Sequence, residues 1–294
     1  MVSPQSLVVD EKKQDEKAEA SQELQSKSFV VADIGCDHAY VSIALVERNI
    51  AQKVIAMDVR KGPLEIAAKN IAEYGFDENI DIRLSDGMDK LAPGEADAVV
   101  IAGMGGLLMR NILCTGLHVM ENHVKQNVKL GDTLPEVKCP VLILQPQSDI
   151  REVRHFLQTC SYYIEREQML IDEGKYYTVI RAVPARQVEA NALAMDGGET
   201  AVADADKAEA EDKEAYSEVE LVYGRYGLRH KDMVLYEFLQ KEAEVLCQIA
   251  GKLQEAIARS RIENREVPQK TMERLQSVEE EQRLNEEALS YFTL

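Results

Sequence analysis

The chain has 294 residues, of which 45% are hydrophobic, so it is long enough to bury a substantial core in one large domain or two modest ones. No apolar run approaches the ~20 residues of a transmembrane helix, and the first 28 residues lack the apolar region of a secretory signal. We therefore expect a cytoplasmic protein with no membrane partner. The five scattered cysteines form no CxxC pair, so we expect neither a metal nor a disulfide framework.

The formal net charge of -18 is concentrated in one part of the chain. Residues 184–220 hold 3 basic and 11 acidic side chains, whereas residues 221–294 hold 11 and 13. The acidic stretch has the composition of a solvated, low-complexity segment. The charge balance gives no positive support for a nucleic-acid partner.

Strand and helix patterns alternate along the first part of the chain, after a polar leader at 1–28. Runs of β-branched and apolar residues predict strands at 29–35, 53–59, 80–87, 96–106 and 141–146. Apolar residues at helical spacing predict helices at 39–49, 64–74, 107–117 and 149–160, the last with Asp149 as its N-cap. Residues 162–183 predict a hairpin that turns at Glu173-Gly174. This order is typical of an α/β fold with a mainly parallel sheet and an antiparallel edge.

The remainder divides into polar segments and helices. We expect a surface excursion at 118–138, an acidic insertion at 184–217 and a helical domain at 218–294, next to a main domain at 29–183. Leu239, Leu246 and Leu253 recur every seven residues, with Glu242 as a polar break. Pro268 separates this helix from another at 269–290. The two helices predict an antiparallel pair, either packed on the main domain or free as a coiled coil.

Small and acidic residues follow four successive predicted strands. Gly35 ends the first, Asp58 the second, Asp86-Gly87 the third and a glycine-rich turn at 102–106 the fourth. The carboxyl ends of parallel strands form the ligand crevice of doubly wound sheets. Each feature taken singly is also what an ordinary turn would show, since Gly and Asp-Gly favour turns.

The order of these features favours one class of ligand. An acid after the second strand can accept hydrogen bonds from a ribose, as in both NAD and S-adenosylmethionine sites. The three-glycine fingerprint of pyrophosphate binding is missing after the first strand, and no GK[ST] follows the glycine-rich turn. The pattern therefore favours S-adenosylmethionine and methyl transfer over a nicotinamide oxidoreductase.

Six segments in the same order resemble a known family, the bacterial tRNA (adenine(22)-N1)-methyltransferases. They are VADIGCDHAYVSIALV, AMDVRKGPLEIA, IRLSDGMD, ADAVVIAGMGGLLMRNIL, LILQP and EREQMLIDEGKYYTVI. The resemblance covers roughly residues 30–183, and the helical remainder is similar to the family's coiled-coil-like C-terminal domain. It implies a Rossmann-like class I methyltransferase domain, S-adenosylmethionine as cofactor, and N1 of an adenine in the tRNA D-arm as target.

The resemblance also implies roles for individual residues. The cofactor would be bound by Asp33, Gly35, Asp58, Val59, Asp86, Gly87, Ala102, Gly103, Met104 and Gly105. Asp37, His38 and Tyr40 would line the target side and act in catalysis. The family's opening amphipathic helix has no counterpart in the acidic leader, and Ser85 stands where the family usually has Gly.

The chemistry expected of these residues follows from the target. N1 of adenine has an in-plane lone pair and attacks a methyl sulfonium directly, so the site must stabilise the developing positive charge. Asp37 is the first candidate for this role and Tyr40 is a candidate for stacking on the base. His38 either accepts a proton from N6 or caps the turn as a structural residue.

Basic side chains of the helical domain are candidates for RNA phosphate contacts. They are Arg225, Arg229, Arg259, Arg261 and Arg265. Solvated helix faces are the alternative reading of any one of them. Two alternative functions remain open at this point: a methyltransferase of the same fold with another substrate, and a non-catalytic RNA-binding protein. No protein partner is indicated.

Overall fold

The computed structural model describes residues 28–120, 139–160, 162–184 and 215–293. The leader predicted at 1–28, the excursion predicted at 118–138 and the acidic insertion predicted at 184–217 lie largely outside these residues.

A seven-stranded sheet forms the centre of the fold. Its strands are β1 (Val30–Ile34), β2 (Lys53–Asp58), β3 (Ile80–Leu84), β4 (Ala98–Gly105), β5 (Val141–Ser148), β6 (Tyr162–Asp172) and β7 (Lys175–Pro184). The strand order is β3-β2-β1-β4-β5-β7-β6. The first five strands are parallel, and β7 runs antiparallel between β5 and β6. The predicted hairpin is confirmed, with Glu173 and Gly174 both at positive φ in its turn.

Within the described ranges, five helices accompany the sheet: α1 (Tyr40–Glu47), α2 (Lys61–Tyr74), α3 (Gly106–Thr115), α4 (Leu117–Met120) and α5 (Ile150–Thr159). On one face, α1 and α2 pack on residues such as Val31, Val54 and Ala56. On the other face, α3, α4 and α5 bury residues such as Ile101 and Leu144. The central strands read as continuous apolar runs because both faces are covered.

In the described part from residue 215 onward, four further helices form an arm: α6 (Glu218–Tyr223), α7 (Arg225–Arg229), α8 (Met233–Ile262) and α9 (Gln269–Ser290). Leu239 packs near Leu284, and farther along α8 Leu246 packs near Val278, so the two long helices run antiparallel. Two members of the predicted seven-residue leucine repeat, Leu239 and Leu246, are buried. At its polar break, Glu242 accepts hydrogen bonds from the Tyr223 hydroxyl at 2.7 Å and from Asn285 at 2.9 Å.

The base of the arm is attached to the sheet through a buried arginine. Arg154 of α5 donates to Glu167 of β6 at 2.5 and 3.0 Å. It also donates to the carbonyl oxygens of Leu221 and Val222 at 2.7 and 2.6 Å. These bonds join α6 to the main domain. The long helix α8 also contacts the sheet at this end, because the Phe238 ring meets the Tyr176 ring of β7 with centroids 5.2 Å apart.

Three local predictions need correction. The third strand ends at Leu84 rather than residue 87, because the Ser85 hydroxyl donates to the Gly87 carbonyl and turns the chain. Helix α2 begins at Lys61, before Pro63, because the first turn of a helix needs no backbone donor from proline. Asp149 precedes α5, but its side chain does not cap the helix and accepts from the Ser148 hydroxyl instead.

Candidate functional site

The carboxyl ends of the first four strands, β1 to β4, lie along the same edge of the sheet. The backbone N–H of Gly35 after β1 donates to Met57 of β2 at 2.7 Å, and Ser85 after β3 donates to Asp58 of β2 at 3.0 Å. A Cβ built on Gly35 would lie 2.0 Å from Cε of Met104 in β4. The strand order reverses between β1 and β4, where doubly wound sheets open their ligand crevice.

The loop after β1 has an unusual backbone. Gly35 has φ +74°, Asp37 has φ +48° and Ala39 has φ +61°. Left-handed conformations at non-glycine residues cost free energy and cluster at functional sites. The alternation bends the chain sharply before α1 and exposes the side chains of Asp37 and Tyr40 at the edge of the crevice.

Asp33 lies beneath this loop rather than at its surface. Its side chain is buried, and Oδ2 accepts a hydrogen bond of 2.6 Å from the Ser42 hydroxyl of α1. Burial raises the pKa of Asp33 to about 6, although the hydrogen bonds from Ser42 oppose the rise. Asp33 therefore contributes a buried carboxyl group below the crevice and ties α1 to β1.

Asp37, His38 and Tyr40, the three predicted catalytic residues, lie together. Asp37 is half exposed, with Oδ2 3.5 Å from Nε2 of His38 and Oδ1 3.5 Å from the Arg60 guanidinium. The His38 and Tyr40 rings meet edge to face with centroids 6.1 Å apart. Nδ1 of His38 is buried and has no hydrogen-bond partner among the described residues. The cluster presents one carboxylate and one exposed aromatic ring.

Asp58 ends β2 with its carboxylate buried and held in place. Oδ1 accepts a hydrogen bond of 2.8 Å from the Arg60 backbone N–H, and the Arg60 guanidinium lies 3.5 Å away. Val59 beside it is 60% exposed. A fixed carboxylate next to an exposed apolar surface suits a ligand that carries hydroxyl groups and a flat ring.

The turn after β3 places Asp86 at the same edge. Asp86 is exposed, and Ser85 behind it is buried. Gly87 has φ +50°, and a Cβ there would lie 3.1 Å from Ile112 of α3. Gly87 therefore permits close packing of the turn, while the Asp86 carboxylate faces outward.

The glycine-rich turn after β4 contains a bulge. The register with β5 shifts between Ala102 and Met104, and Gly103 has φ +76°. Gly105 precedes α3, and a Cβ on Gly106 would lie 2.4 Å from the carbonyl oxygens of Ser148 and Asp149. The first glycine shapes the crevice, whereas the last allows helix α3 to approach β5.

Sequence reasoning missed two residues here. Arg60 is close to both Asp37 and Asp58, and Gln145 of β5 accepts a hydrogen bond of 2.9 Å from the Gly103 N–H. Gln145 stands in an apolar run that indicates only a buried strand, and its role depends on register with β4. The one signal available in the sequence was that Gln145 is a polar residue at the carboxyl end of a predicted apolar strand.

Burial and nearby carboxylates disfavour the thiolate form of the cysteine in this site. Burial, with the charges of Asp33, Asp58 and Asp37, raises the pKa of Cys36 to about 12. The thiol is therefore protonated at neutral pH, which argues against covalent catalysis through Cys36.

The predicted RNA-binding arginines fall into two groups. Arg225 is buried, donates to Glu220 at 2.8 Å and lies over the Tyr216 ring, so its assignment to RNA phosphates is corrected. Burial raises the pKa of Glu220, but the hydrogen bond from Arg225 and further contacts outweigh it and hold that pKa below the ordinary value. Arg229 also pairs with Glu220, at 3.2 Å. Arg259, Arg261 and Arg265 are exposed where α8 ends.

Neither a metal-binding cluster nor a membrane-spanning helix is found among the described residues. No group of three or more His, Cys, Asp or Glu side chains in these ranges is arranged to hold a metal ion. Within the same ranges, no helix is both long and apolar enough for a bilayer.

The fold and its crevice define a class of protein, the Rossmann-like methyltransferases, and comparison with known proteins agrees. The chain belongs to a methyltransferase domain family, whose sequence profile matches residues 18–180. It is 33% identical over 153 residues to the tRNA (adenine(22)-N(1))-methyltransferase of Bacillus subtilis, and 30% identical over 159 residues to a Mycoplasma pneumoniae protein named as a tRNA methyltransferase. These alignments cover 52% and 53% of this chain. The chain spans 58% and 64% of the length of these relatives.

Solved structures extend the likeness to the helical arm. Sp1610 of Streptococcus pneumoniae, a proposed tRNA (m1A22) methyltransferase, matches with 25% identity and a TM-score of 0.64 over 98% of this chain and 100% of its own. Sp1610 has also been solved with S-adenosyl-L-methionine. The TrmK m1A22 tRNA methyltransferase of B. subtilis matches with 24% identity and a TM-score of 0.62, over 88% of this chain and 92% of its own, which shows a shared fold.

Proposed function

We propose that this protein transfers a methyl group from S-adenosylmethionine to N1 of adenine 22 in the D-arm of tRNA, in the cytoplasm. One observation carries the proposal: the four strand ends with Gly35, Asp58, Asp86 and Gly103 meet at one edge, within the region that is similar to the B. subtilis enzyme. A methyltransferase of another specificity would share the fold, and the substrate is inferred from the relatives.

The residues present fit this cofactor. The buried Asp58 carboxylate, fixed by the Arg60 N–H, would accept hydrogen bonds from the ribose hydroxyls. Asp86 and the exposed Val59 would flank the adenine ring. The Met104 side chain packs against the bare backbone of Gly35, where any Cβ would meet it, and the methionine portion would lie beside this turn. When bound, the cofactor supplies an electrophilic methyl group on a cationic sulfur.

The protein's own contribution is electrostatic and positional. The attacking N1 already has a lone pair, so the site needs no strong base to create the nucleophile. Asp37 stands at the edge with its carboxylate half exposed, where it would stabilise the positive charge that spreads over the adenine ring. Tyr40, 62% exposed beside it, would stack on the base after the RNA opens locally. His38 would hold Asp37 through Nε2, 3.5 Å from Oδ2.

The decisive experiment maps the modified nucleotide. Unmodified tRNA transcripts are incubated with the full-length protein and methyl-labelled cofactor, and methylation is located by the reverse-transcription stop that N1-methyladenine produces. We expect one stop, at adenine 22, and none in a transcript with guanine there. Methylation elsewhere, or of protein fractions only, would assign another substrate.

Two variants separate catalysis from cofactor binding. Asp37→Ala should reduce methyl transfer by about 100-fold or more, the scale of losing one electrostatic contact in a transition state. Its affinity for S-adenosylmethionine, measured by calorimetry, should change little. Asp58→Ala should instead weaken that affinity. Asp77→Ala, at an exposed position in another loop, serves as the control.

A further inference from the structure

Gln145 extends the polar edge of the site by one strand. Register pairs Asp33 with Val100 and Val100 with Ile143, and two residues farther on it pairs Ala102 with Gln145. Alternate residues of a strand share a face, so the side chains of Asp33, Asp58 and Gln145 leave the sheet on the same side. Gln145 thus lies beyond the glycine-rich turn, on the side away from Asp58.

The orientation of the Gln145 amide is fixed by chemistry. Oε1 lies 2.9 Å from the Gly103 backbone nitrogen. A backbone N–H can only donate, so the amide oxygen must face Gly103 and the NH2 group must face the opposite way. The contact also holds the bulge between Ala102 and Met104, where Gly103 has φ +76°.

The NH2 group of Gln145 lacks an acceptor. Nε2 is buried and makes no hydrogen bond among the described residues. Buried amide donors without a partner are rare and costly, and each calls for a specific explanation. A ligand acceptor that enters the crevice would complete this group.

The position of Gln145 selects between the two ligands of the proposed reaction. The adenosine half of the cofactor belongs to the ends of β2 and β3, at Asp58 and Asp86. Gln145 is on β5, two strands from β1 and therefore roughly 10 Å away from it. The group nearest to β4 and β5 is then the base that receives the methyl group. While its N1 reacts, adenine keeps two ring nitrogens, N3 and N7, as acceptors.

We infer that Nε2 of Gln145 donates a hydrogen bond to a ring nitrogen of the target adenine and that the Gly103 amide holds it in position to do so. The inference rests on the proposed function and identifies a substrate-binding residue that the sequence pattern did not reveal. It assigns the base-reading donor to β5, across the glycine-rich turn from the cofactor.

The test uses two substitutions of Gln145 that remove different parts of its amide group. Gln145→Glu keeps an oxygen for Gly103 but removes the donor, and Gln145→Leu removes both. We expect kcat/KM for tRNA to fall about 10- to 100-fold in Gln145→Glu, the scale of one lost hydrogen bond to a buried group. Affinity for S-adenosylmethionine should stay within about twofold of wild type on that scale. Gln158→Glu, at an exposed position of α5, is the matched control.

Modified RNA then identifies the acceptor. Transcripts with 7-deazaadenosine or 3-deazaadenosine at the target position each lack one ring nitrogen. On one of these transcripts, kcat/KM of the wild-type protein should fall by a factor similar to that caused by Gln145→Glu. On the same transcript, kcat/KM of Gln145→Glu should not fall further. Removing a ring nitrogen also changes the basicity of N1, but this change affects wild type and Gln145→Glu equally. Comparing the two proteins therefore isolates the contact between Gln145 and the base.

The outcomes distinguish this inference from the proposed function. If wild type methylates adenine 22 and Gln145→Glu does so equally well, the contact is refuted and the proposed function stands. Loss of cofactor affinity in Gln145→Glu would also refute it, by placing the amide against the cofactor. The contact would also be refuted if wild type and Gln145→Glu lost kcat/KM equally on both deaza transcripts. A wild-type protein that methylates no tRNA would overturn both proposals together.

Discussion

Gly35 shows how one residue controls the crevice. Its φ of +74° disfavours any side chain, and a Cβ would sit 2.0 Å from the Met104 methyl group. Gly35→Ala should therefore lower the free energy of unfolding by about 1–2 kcal/mol. It should also weaken S-adenosylmethionine binding by about tenfold or more, because the displaced Met104 side chain would enter the crevice. Urea unfolding and calorimetry measure the two effects.

Gly62 provides the control for this substitution. It lies in α2 without a positive φ, and a Cβ there would meet nothing within 4 Å. Gly62→Ala should change the free energy of unfolding by less than about 1 kcal/mol, because the gain in helix propensity is opposed by the following Pro63, and it should leave cofactor binding unchanged. If Gly35→Ala and Gly62→Ala had the same effects on the free energy of unfolding and on S-adenosylmethionine affinity, Gly35 would have no special role.

Asp33 gives the fold a specific pH dependence. Burial raises its folded-state pKa to about 6, above the ordinary value of 3.8. Folding therefore favours the protonated form, and above pH ~6 the ionised carboxylate costs stability, at most ~3 kcal/mol for a shift of this size. Asp33→Asn removes that cost. The free energy of unfolding of Asp33→Asn should exceed that of wild type most at pH 7–8. This difference should shrink as pH falls through about 6 and vanish near pH 4.

Urea unfolding at pH 4, 6 and 8 tests this difference, with Asp77→Asn as an exposed control. Comparing variant and wild type at each pH cancels the titration of all other groups. An advantage of Asp33→Asn that is constant from pH 4 to pH 8 would contradict a raised pKa for Asp33.

At the scale of elements, the joint between sheet and arm contains a buried arginine that is ion-paired on the side of the sheet. Arg154 and Glu167 are 1% and 5% exposed, and Arg154 also binds two carbonyl oxygens of α6. Arg154→Met should lower the free energy of unfolding by about 3–5 kcal/mol, because it leaves the Glu167 carboxylate buried without its partner. Adding Glu167→Gln should recover part of the loss. Denaturant unfolding measures both.

The same pair of helices supplies a matched control. Arg151 of α5 pairs with Glu218 of α6 at 2.7 Å, but both side chains are more than 40% exposed. Arg151→Met should cost less than about 1 kcal/mol, as is usual for surface ion pairs. Similar losses in both arginine variants would mean that burial of Arg154 is not what matters.

Elements with a strong local pattern were predictable from the sequence. The apolar runs of β1, β2 and β5 and the Glu173-Gly174 turn are governed by burial and backbone freedom, which neighbouring residues determine. Helix α9 begins directly after Pro268, as the position of the proline indicates, although α8 already ends at Ile262. The polar partners were not predictable in this way. Arg154 meets Glu167 and Gln145 meets Gly103 through tertiary packing, and Arg225 is buried only because Glu220 and Tyr216 surround it.

The whole molecule combines a strongly acidic chain with a basic tip. The net charge is -18, yet residues 252–270, around the end of α8, hold five basic and three acidic side chains. Helix α8 has 30 residues and is therefore ~45 Å long. Near its start, Phe238 packs on Tyr176 of β7, and the tip lies about 36 Å from that contact along the helix.

Reversing the tip charges tests whether the arm binds RNA. Arg259→Glu/Arg261→Glu should weaken tRNA binding and reduce the salt dependence of log Kd by about 2, roughly one for each lost phosphate contact. Affinity for S-adenosylmethionine should not change. The control is Arg48→Glu/Lys53→Glu, which makes the same charge change near the amino ends of the strands, opposite the crevice. If the control weakens tRNA binding as much as the tip variant does, net charge alone governs association and the tip has no particular role.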